Sequence, residues 1–126
     1  MGMISIKQKG NFSKTISFLN KNKNKSVNMN VLIEYAEKGL DALKQQTPKD
    51  TGLTASSWYY DITTTKEGIT LSYHNSNVKD YAVIAVLIQY GHATKDNHWV
   101  EGVDYINPAL APIFDKLSKD IWKEDK

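Results

Sequence analysis

Two stretches with the apolar period of a helix enclose one stretch with the period of a strand, and that order limits the folds open to the chain. Near the C-terminus, Leu110, Ile113, Phe114, Leu117 and Ile121 make one apolar stripe, flanked by Asp115, Lys116, Lys119 and Asp120. Asn107 suits an N-cap and Pro108 the first helical position, so a helix is predicted to start there. Upstream, Leu32, Tyr35, Ala36, Gly39, Leu40 and Leu43 share one face of a helix predicted over 27–46. Gly39 on that face lets a neighbouring element come close. Pro48 ends the helix, because the residue before a proline is pushed away from helical angles. Between the helices, residues 58–65 are rich in aromatic and β-branched side chains, and residues 69–73 alternate strictly. The turn at Lys66-Glu67-Gly68 joins them into a predicted hairpin.

The remaining segments are less regular. Phe12, Ile16 and Leu19 recur at helical spacing, with Asn11 or Ser13 as cap, and predict a short first helix. Residues 20–25 alternate Lys and Asn with no apolar residue and read as a linker or a basic arm. The apolar run 81–88 fits a strand buried on both faces or a short core helix; its Val and Ile content and the nearby Gly91 favour strand at its end. Residues 91–106 read as a polar loop. The expected fold class is α+β, a small antiparallel sheet of three to four strands with two or three helices packed on one face. The chain reads as a single domain, 1–126, with a helix and linker over 1–26 and the core over 27–126.

A chain of 126 residues has room for one core, and 40% hydrophobic with 24% charged residues is ordinary for a folded soluble domain. It has no cysteine, which excludes disulfides and thiolate metal sites. The first residues are too short in apolar content for a secretory signal, and Ile6 breaks the myristoylation pattern. The run 81–88 is too short to span a bilayer as a helix, so no membrane partner is expected. Charge is uneven: residues 1–49 hold nine Lys against three acids, a balance of +6, and residues 50–126 hold seven Lys against eleven acids, a balance of −4. Such a two-signed chain can stack head to tail, although solvated faces explain the same pattern. All 16 basic residues are Lys; without Arg, sequence-specific DNA reading has no bidentate donor.

Asp50-Thr51-Gly52 is the sharpest enzyme-like feature, since the same triplet carries the catalytic carboxylate of aspartic proteases, which pair two such groups around one proton. A small homodimeric aspartyl protease is therefore the alternative reading. The context does not fit it: an apolar strand should precede the triplet and a small residue should follow, whereas Thr47-Pro48-Lys49 and Leu53 stand there. A capped turn at Asp50 or Thr51, eased by Gly52, is simpler. His92, His98 and Glu101 are too irregularly spaced for a metal site, and His74 is far from them in sequence. Ser56 and Ser57 lack a nucleophile elbow, and the seven glycines form no phosphate loop. Trp58, Tyr59, Tyr60 and Tyr73 could stack bases, but such residues more often fill a core or an interface. No catalytic residue, metal or cofactor is expected.

Several landmarks in order resemble a known family. Thr47-Pro48-Lys49-Asp50-Thr51-Gly52-Leu53 followed by Ser57-Trp58, then Tyr81-Ala82, Gln89-Tyr90-Gly91 and Asn107-Pro108-Ala109-Leu110, are similar to motifs of the gene-ten-like phage family. Its members are minor capsid, neck, head–tail joining or tail-completion proteins of long-tailed double-stranded DNA phages. The resemblance runs over residues 27–126. It departs at Gln89, where the family has Glu, at His92, where it has Thr, and in a 91–107 loop without the usual proline. It implies a virion protein, assembled in the host cytoplasm, that forms a homo-oligomeric ring and contacts other neck and tail proteins. Structural duties are expected for Pro48, Asp50, Thr51, Gly52, Ser57, Tyr90, Gly91, Pro108 and Ala109. The Lys/Asn arm adds a DNA-contacting reading, non-specific and at the channel. Trp99, His92 and His98 are the candidate interface residues, on a loop expected to be mobile in a monomer and ordered only against a neighbour.

Overall fold

The computed structural model of the chain describes residues 3–8, 14–19, 25–48, 52–65, 68–79 and 82–124. Along it run β1 (Met3–Gln8), β2 (Lys14–Leu19), β3 (Lys25–Val27), α1 (Met29–Gln46), α2 (Gly52–Ser56), β4 (Trp58–Thr64) and β5 (Gly68–Asn75). There follow β6 (Val78–Lys79), β7 (Ala82–Val83), α3 (Ile84–Tyr90), β8 (His92–Ala93), β9 (Trp99–Val100), α4 (Ile106–Asp120) and β10 (Trp122–Glu124). The main sheet has the order β1-β2-β5-β4, antiparallel throughout, and α1 packs on α4. The α+β class read from the sequence is the class observed.

Alternation decides which face of the sheet is covered. Ile16 and Phe18 of β2 and Leu71 and Tyr73 of β5 point to one side, with Trp58 of β4 beside them, and all five are buried. They meet Leu32, Ala36 and Leu43 of α1 and Leu110, Phe114 and Leu117 of α4 in one core. Each buried aliphatic or aromatic side chain there stabilises the fold by about 1.5–3 kcal/mol. The Tyr73 ring stacks on Phe114 at 6.3 Å, and Phe18 meets Trp122 edge-on at 6.0 Å. The other face is polar: Ser17 and Thr70 share a hydrogen bond of 2.8 Å, and Tyr59 stacks on His74 at 5.2 Å.

Helix α1 starts at Asn28, whose side chain accepts from the Val31 N–H at 3.3 Å, and ends at Thr47 just before Pro48, as the proline requires. The Thr47 hydroxyl donates to the Leu43 carbonyl and accepts from the Trp58 indole N–H at 3.0 Å, fixing the helix end to the start of β4. The other end of α1 is tied to the end of α4. There β3 pairs with β10, Asn28 N–H donates to the Ile121 carbonyl at 2.7 Å, and Tyr35 donates to Asp120 at 2.5 Å. That bond to a carboxylate holds the Tyr35 phenol above its ordinary pKa, with desolvation adding to it.

Four expectations are corrected. The first helix is not formed: Ile16 lies in β2, at the middle of the sheet, and residues 11–13 lie outside the described residues. Thr15, Ile16, Ser17 and Phe18 also alternate with period 2, and pairing to β5 buries Ile16 and Phe18 completely, which a lone helical turn could not do. Residues 14–19 therefore belong to the core rather than to an N-terminal appendage. Of the Lys/Asn run, Lys25 begins β3 and residues 20–24 lie outside the described residues. Among the described residues of the run 81–88, Ala82–Val83 are strand and the end is helix α3. Ala85 and Gln89, four apart, are its buried pair, and Gly91 stops that helix rather than a strand. Finally, α4 begins at Ile106 with Tyr105 as N-cap, so Asn107 is not the cap and Pro108 is third in the helix. Pro108 still costs no hydrogen bond there, because the N–H groups of the first turn have no partner within the helix.

Candidate functional site

The segment between α3 and α4 is not an unstructured loop. Gly91 leaves the helix with φ +83° while its N–H still donates to the Leu87 carbonyl at 2.9 Å. The chain then forms a small hairpin in which His92 pairs with Val100 and Ala93 with Trp99. Thr94 N–H donates to the His98 carbonyl at 2.7 Å and Asn97 N–H to the Thr94 carbonyl at 3.1 Å, with Asn97 at φ 62°. The Thr94 hydroxyl accepts from the His98 N–H at 3.2 Å.

Two glycines bring this hairpin against its own helix. A Cβ on Gly91 would lie 2.6 Å from the Val100 carbonyl oxygen and 2.8 Å from the Trp99 ring. A Cβ on Gly102 would lie 2.6 Å from the Gln89 carbonyl oxygen and 2.7 Å from the Gly91 nitrogen. Backbone meets backbone at this crossing, and Val103 N–H donates to the Ile88 carbonyl at 2.8 Å.

Gln89 joins the hairpin to α4. Its side chain is buried; Oε1 accepts from the N–H groups of Tyr105 and Ile106 at 3.0 and 2.9 Å, and Nε2 donates to Asp104 at 2.5 Å. A residue two positions before Gly91 thus caps a helix that starts at residue 106. Asp104 accepts a second bond from Asn107 at 3.2 Å. Tyr105 donates to the Ala85 carbonyl at 3.0 Å, and burial pushes its phenol well above the usual value.

This clamped framework leaves apolar side chains in solvent. Trp99 is 59% exposed, Val103 54% and Tyr90 51%, with Val100 beside Trp99 also exposed. His98 is exposed at the turn, while His92 is half-buried with Nδ1 shielded and no hydrogen-bond partner among the described residues. The segment read from the sequence as a polar loop is corrected to a short hairpin, and the three candidate interface residues share it.

The motif residues fall into two groups. Tyr90, Gly91, Pro108 and Ala109 surround the Gln89 junction, Ala109 buried and Pro108 exposed. Pro48, Gly52 and Ser57 belong to the other end of α1, where Ser57 donates to the Leu53 carbonyl at 2.6 Å, closing α2. Asn75 donates to the Thr54 carbonyl at 2.9 Å and Asn77 to its hydroxyl at 2.8 Å, pinning α2 to the end of β5. A Cβ on Gly52 would meet nothing within 4 Å, so packing makes no demand for glycine there. Asp50 and Thr51 lie outside the described residues. Their neighbours on both sides are helices, α1 and α2, where a protease triplet follows a strand.

Among the described residues, no cluster of three or more His, Asp or Glu side chains is placed to hold a metal ion, and no helix is long and apolar enough to cross a membrane. Of the four aromatic residues considered for base stacking, Trp58 and Tyr73 are core, Tyr60 is half-buried, and Tyr59 is exposed on the polar face. Val100, Gly102, Val103 and Asp104 carried no signal in the sequence, and Gln89 stood out there only as a departure within the Gln89-Tyr90-Gly91 motif, not as a site residue. Compared with protein-family models, with curated proteins and with solved structures, the chain has no match.

Proposed function

We propose that this chain is a non-enzymatic structural subunit of the head–tail junction of a long-tailed phage, assembling into a ring that joins or finishes head and tail. The observation that carries the reading is the exposed apolar set Tyr90, Trp99, Val100 and Val103 on a hairpin clamped by Gly91, Gly102 and Gln89. Exposed aromatic anchors held on a rigid support are the features of an interface hot spot, because little order has to be gained on binding. The motif resemblance over residues 27–126 supplies the class of assembly, and the excess of Lys in residues 1–49 over the acidic remainder favours head-to-tail contact between copies. A head-to-tail contact joins two different surfaces and closes into a ring when its rotation allows.

Deleting the coding sequence from the phage genome that carries it, and supplying it in trans, tests the reading. Capsids and tails should both still be made, with infectious particles lost and then restored by complementation. Undiminished infectivity in the deletion would rule out an essential joining role.

A further inference from the structure

Among the described residues, the main sheet has an open edge at each end: β4 pairs only with β5, and β1 only with β2. Thr65 and Gly68 exchange both backbone hydrogen bonds, so every second pair along that hairpin does the same: Thr63 with Thr70, Asp61 with Ser72 and Tyr59 with His74. The N–H and C=O groups of Tyr60, Ile62 and Thr64 therefore point away from the sheet. The same alternation, carried through the pairs Ile16–Leu71 and Ser5–Ser17, turns those of Ile4, Ile6 and Gln8 outward at the other edge. Strand β4 has neither lysine nor proline, the residues that commonly blunt an edge. Strand direction matters as well. The four strands alternate, so β1 and β4, first and last in the order, run oppositely. A second copy set beside the first in the same orientation thus presents β1 antiparallel to β4, with the helices of both copies on one side of a continuous sheet.

We infer that β4 of one copy pairs with β1 of the next, a contact that rests on the ring reading above and supplies its main-chain part. Charge selects the partner and the register. Asp61 is the one charged residue of β4, and Lys7 is the one charged residue of β1. Setting these two opposite each other also sets Thr63 opposite Ser5, and Tyr60, Ile62 and Thr64 opposite Gln8, Ile6 and Ile4. Those last three pairs are the positions whose backbone groups point outward on both edges, so hydrogen bonds and charge agree on one register. The Asp61 side chain is 56% exposed, with His74 3.5 Å away, and can be reached by a neighbouring strand. Two copies of β4 in full overlap would instead set Asp61 opposite Asp61, and like charges directly opposite are destabilising. Because each copy gives one edge and receives on the other, the repeat is head-to-tail by its strand order, and it ends only when the last copy meets the first.

The absence of cysteine allows a direct test. In this register Thr63 and Ser5 of the next copy form a non-hydrogen-bonded pair, with Cα atoms about 4.5 Å apart, within disulfide range. Full-length chains carrying Thr63→Cys and Ser5→Cys should form a mixed disulfide when oxidised together, and neither should cross-link efficiently to itself. In sedimentation, Asp61→Lys and Lys7→Asp should each raise the dissociation constant roughly ten-fold, and the chain carrying both should assemble like wild type. Circular dichroism at monomeric concentrations checks that each variant keeps its sheet; should a reversed charge unfold the chain, the disulfide decides alone. A wild type that stays monomeric at every concentration overturns this contact and the ring reading together. A wild type that assembles, with no mixed disulfide or with no recovery in the double reversal, overturns this contact and leaves the ring standing. Efficient cross-linking of Thr63→Cys to itself also overturns it, because β4 would then pair with β4.

Discussion

Gly39 lies under the hydroxyl of Tyr73: a Cβ on Gly39 would fall 2.2 Å from that oxygen and 2.8 Å from the ring carbon that bears it. The missing side chain lets Tyr73, on the central strand β5, reach the backbone of α1 and donate to the Ala36 carbonyl at 2.8 Å. One glycine in the middle of an 18-residue helix thus sets how closely α1 approaches the sheet.

Gly39→Ala sets two effects against each other. Helix propensity favours Ala by about 1 kcal/mol, while forcing a methyl into packed core costs about 1–3 kcal/mol. Tyr73 is fully buried against Phe114 and cannot withdraw, so overpacking should win, with a net loss of up to about 2 kcal/mol in urea unfolding. Tyr73→Phe in the same background should recover part of that loss by removing the nearest atom. A stabilised Gly39→Ala would show that the helix can slide away from the sheet.

Gln89 makes two demands that different substitutions separate. Gln89→Leu leaves the N–H groups of Tyr105 and Ile106 without their acceptor at the start of α4, and should cost about 2–4 kcal/mol in thermal or urea unfolding. Gln89→Glu keeps the acceptor, favoured at a helix N-terminus, but sets a carboxylate against Asp104. Its loss should be smaller, and Asp104→Asn should recover most of it by restoring a donor and removing a charge. A Gln89→Glu chain as unstable as Gln89→Leu would mean the cap contributes little.

The alkaline limit follows from two buried phenols. Burial raises Tyr105 far above its ordinary 10.0, and burial, with smaller contributions from Tyr60 and Glu37, does the same for Tyr73. Below about pH 10 both phenols are neutral, folded or unfolded, and their contribution to stability is complete. Above it the unfolded chain loses these protons and the folded chain keeps them, so stability falls as pH rises. Phenolate absorbance from Tyr73 and Tyr105 should appear only together with the loss of circular dichroism, and Tyr105→Phe should move the alkaline midpoint upward. Phenolate from all the tyrosines before any loss of structure would contradict the burial.

Much of the fold was legible because its signals are local. The stripe Leu110–Phe114–Leu117, the alternation from Ile69 to Tyr73 and the stop at Pro48 each act within one element, and each element formed. What escaped depends on distant pairing. Ile16 and Leu19 suit a helix as well as a strand, and β5, more than fifty residues away, decides the matter. Asn107 and Pro108 carry ordinary start signals, yet Gln89 reaches across from another helix and sets the first turn at Ile106. Of the site, Trp99 and Gly91 were visible as residue types. The crossing at Gly102 was not, because a glycine in a polar segment looks the same whether it bends freely or passes backbone so closely that a Cβ would fall 2.6 Å from a carbonyl oxygen.

The hairpin provides the last prediction, in which one of two neighbouring substitutions should leave an isolated subunit nearly unchanged and the other should destabilise it. Trp99 is mostly in solvent, so Trp99→Ala gives up little buried area and should leave the melting temperature of the monomer within the range of ordinary surface changes, about 0.5 kcal/mol. Gly102→Ala puts a methyl onto the backbone at Gln89 and Gly91, and neither can move without breaking the end of α3 or the cap of α4. It should destabilise the monomer by about 2 kcal/mol or more and speed amide exchange at Val103, whose bond to the Ile88 carbonyl spans the crossing. Calorimetry and exchange on both variants, at concentrations where wild type is monomeric, separate the roles. If Trp99→Ala melts early while Gly102→Ala does not, the indole is part of the core and the hairpin is free to detach, which would remove the rigid support on which the proposed interface depends.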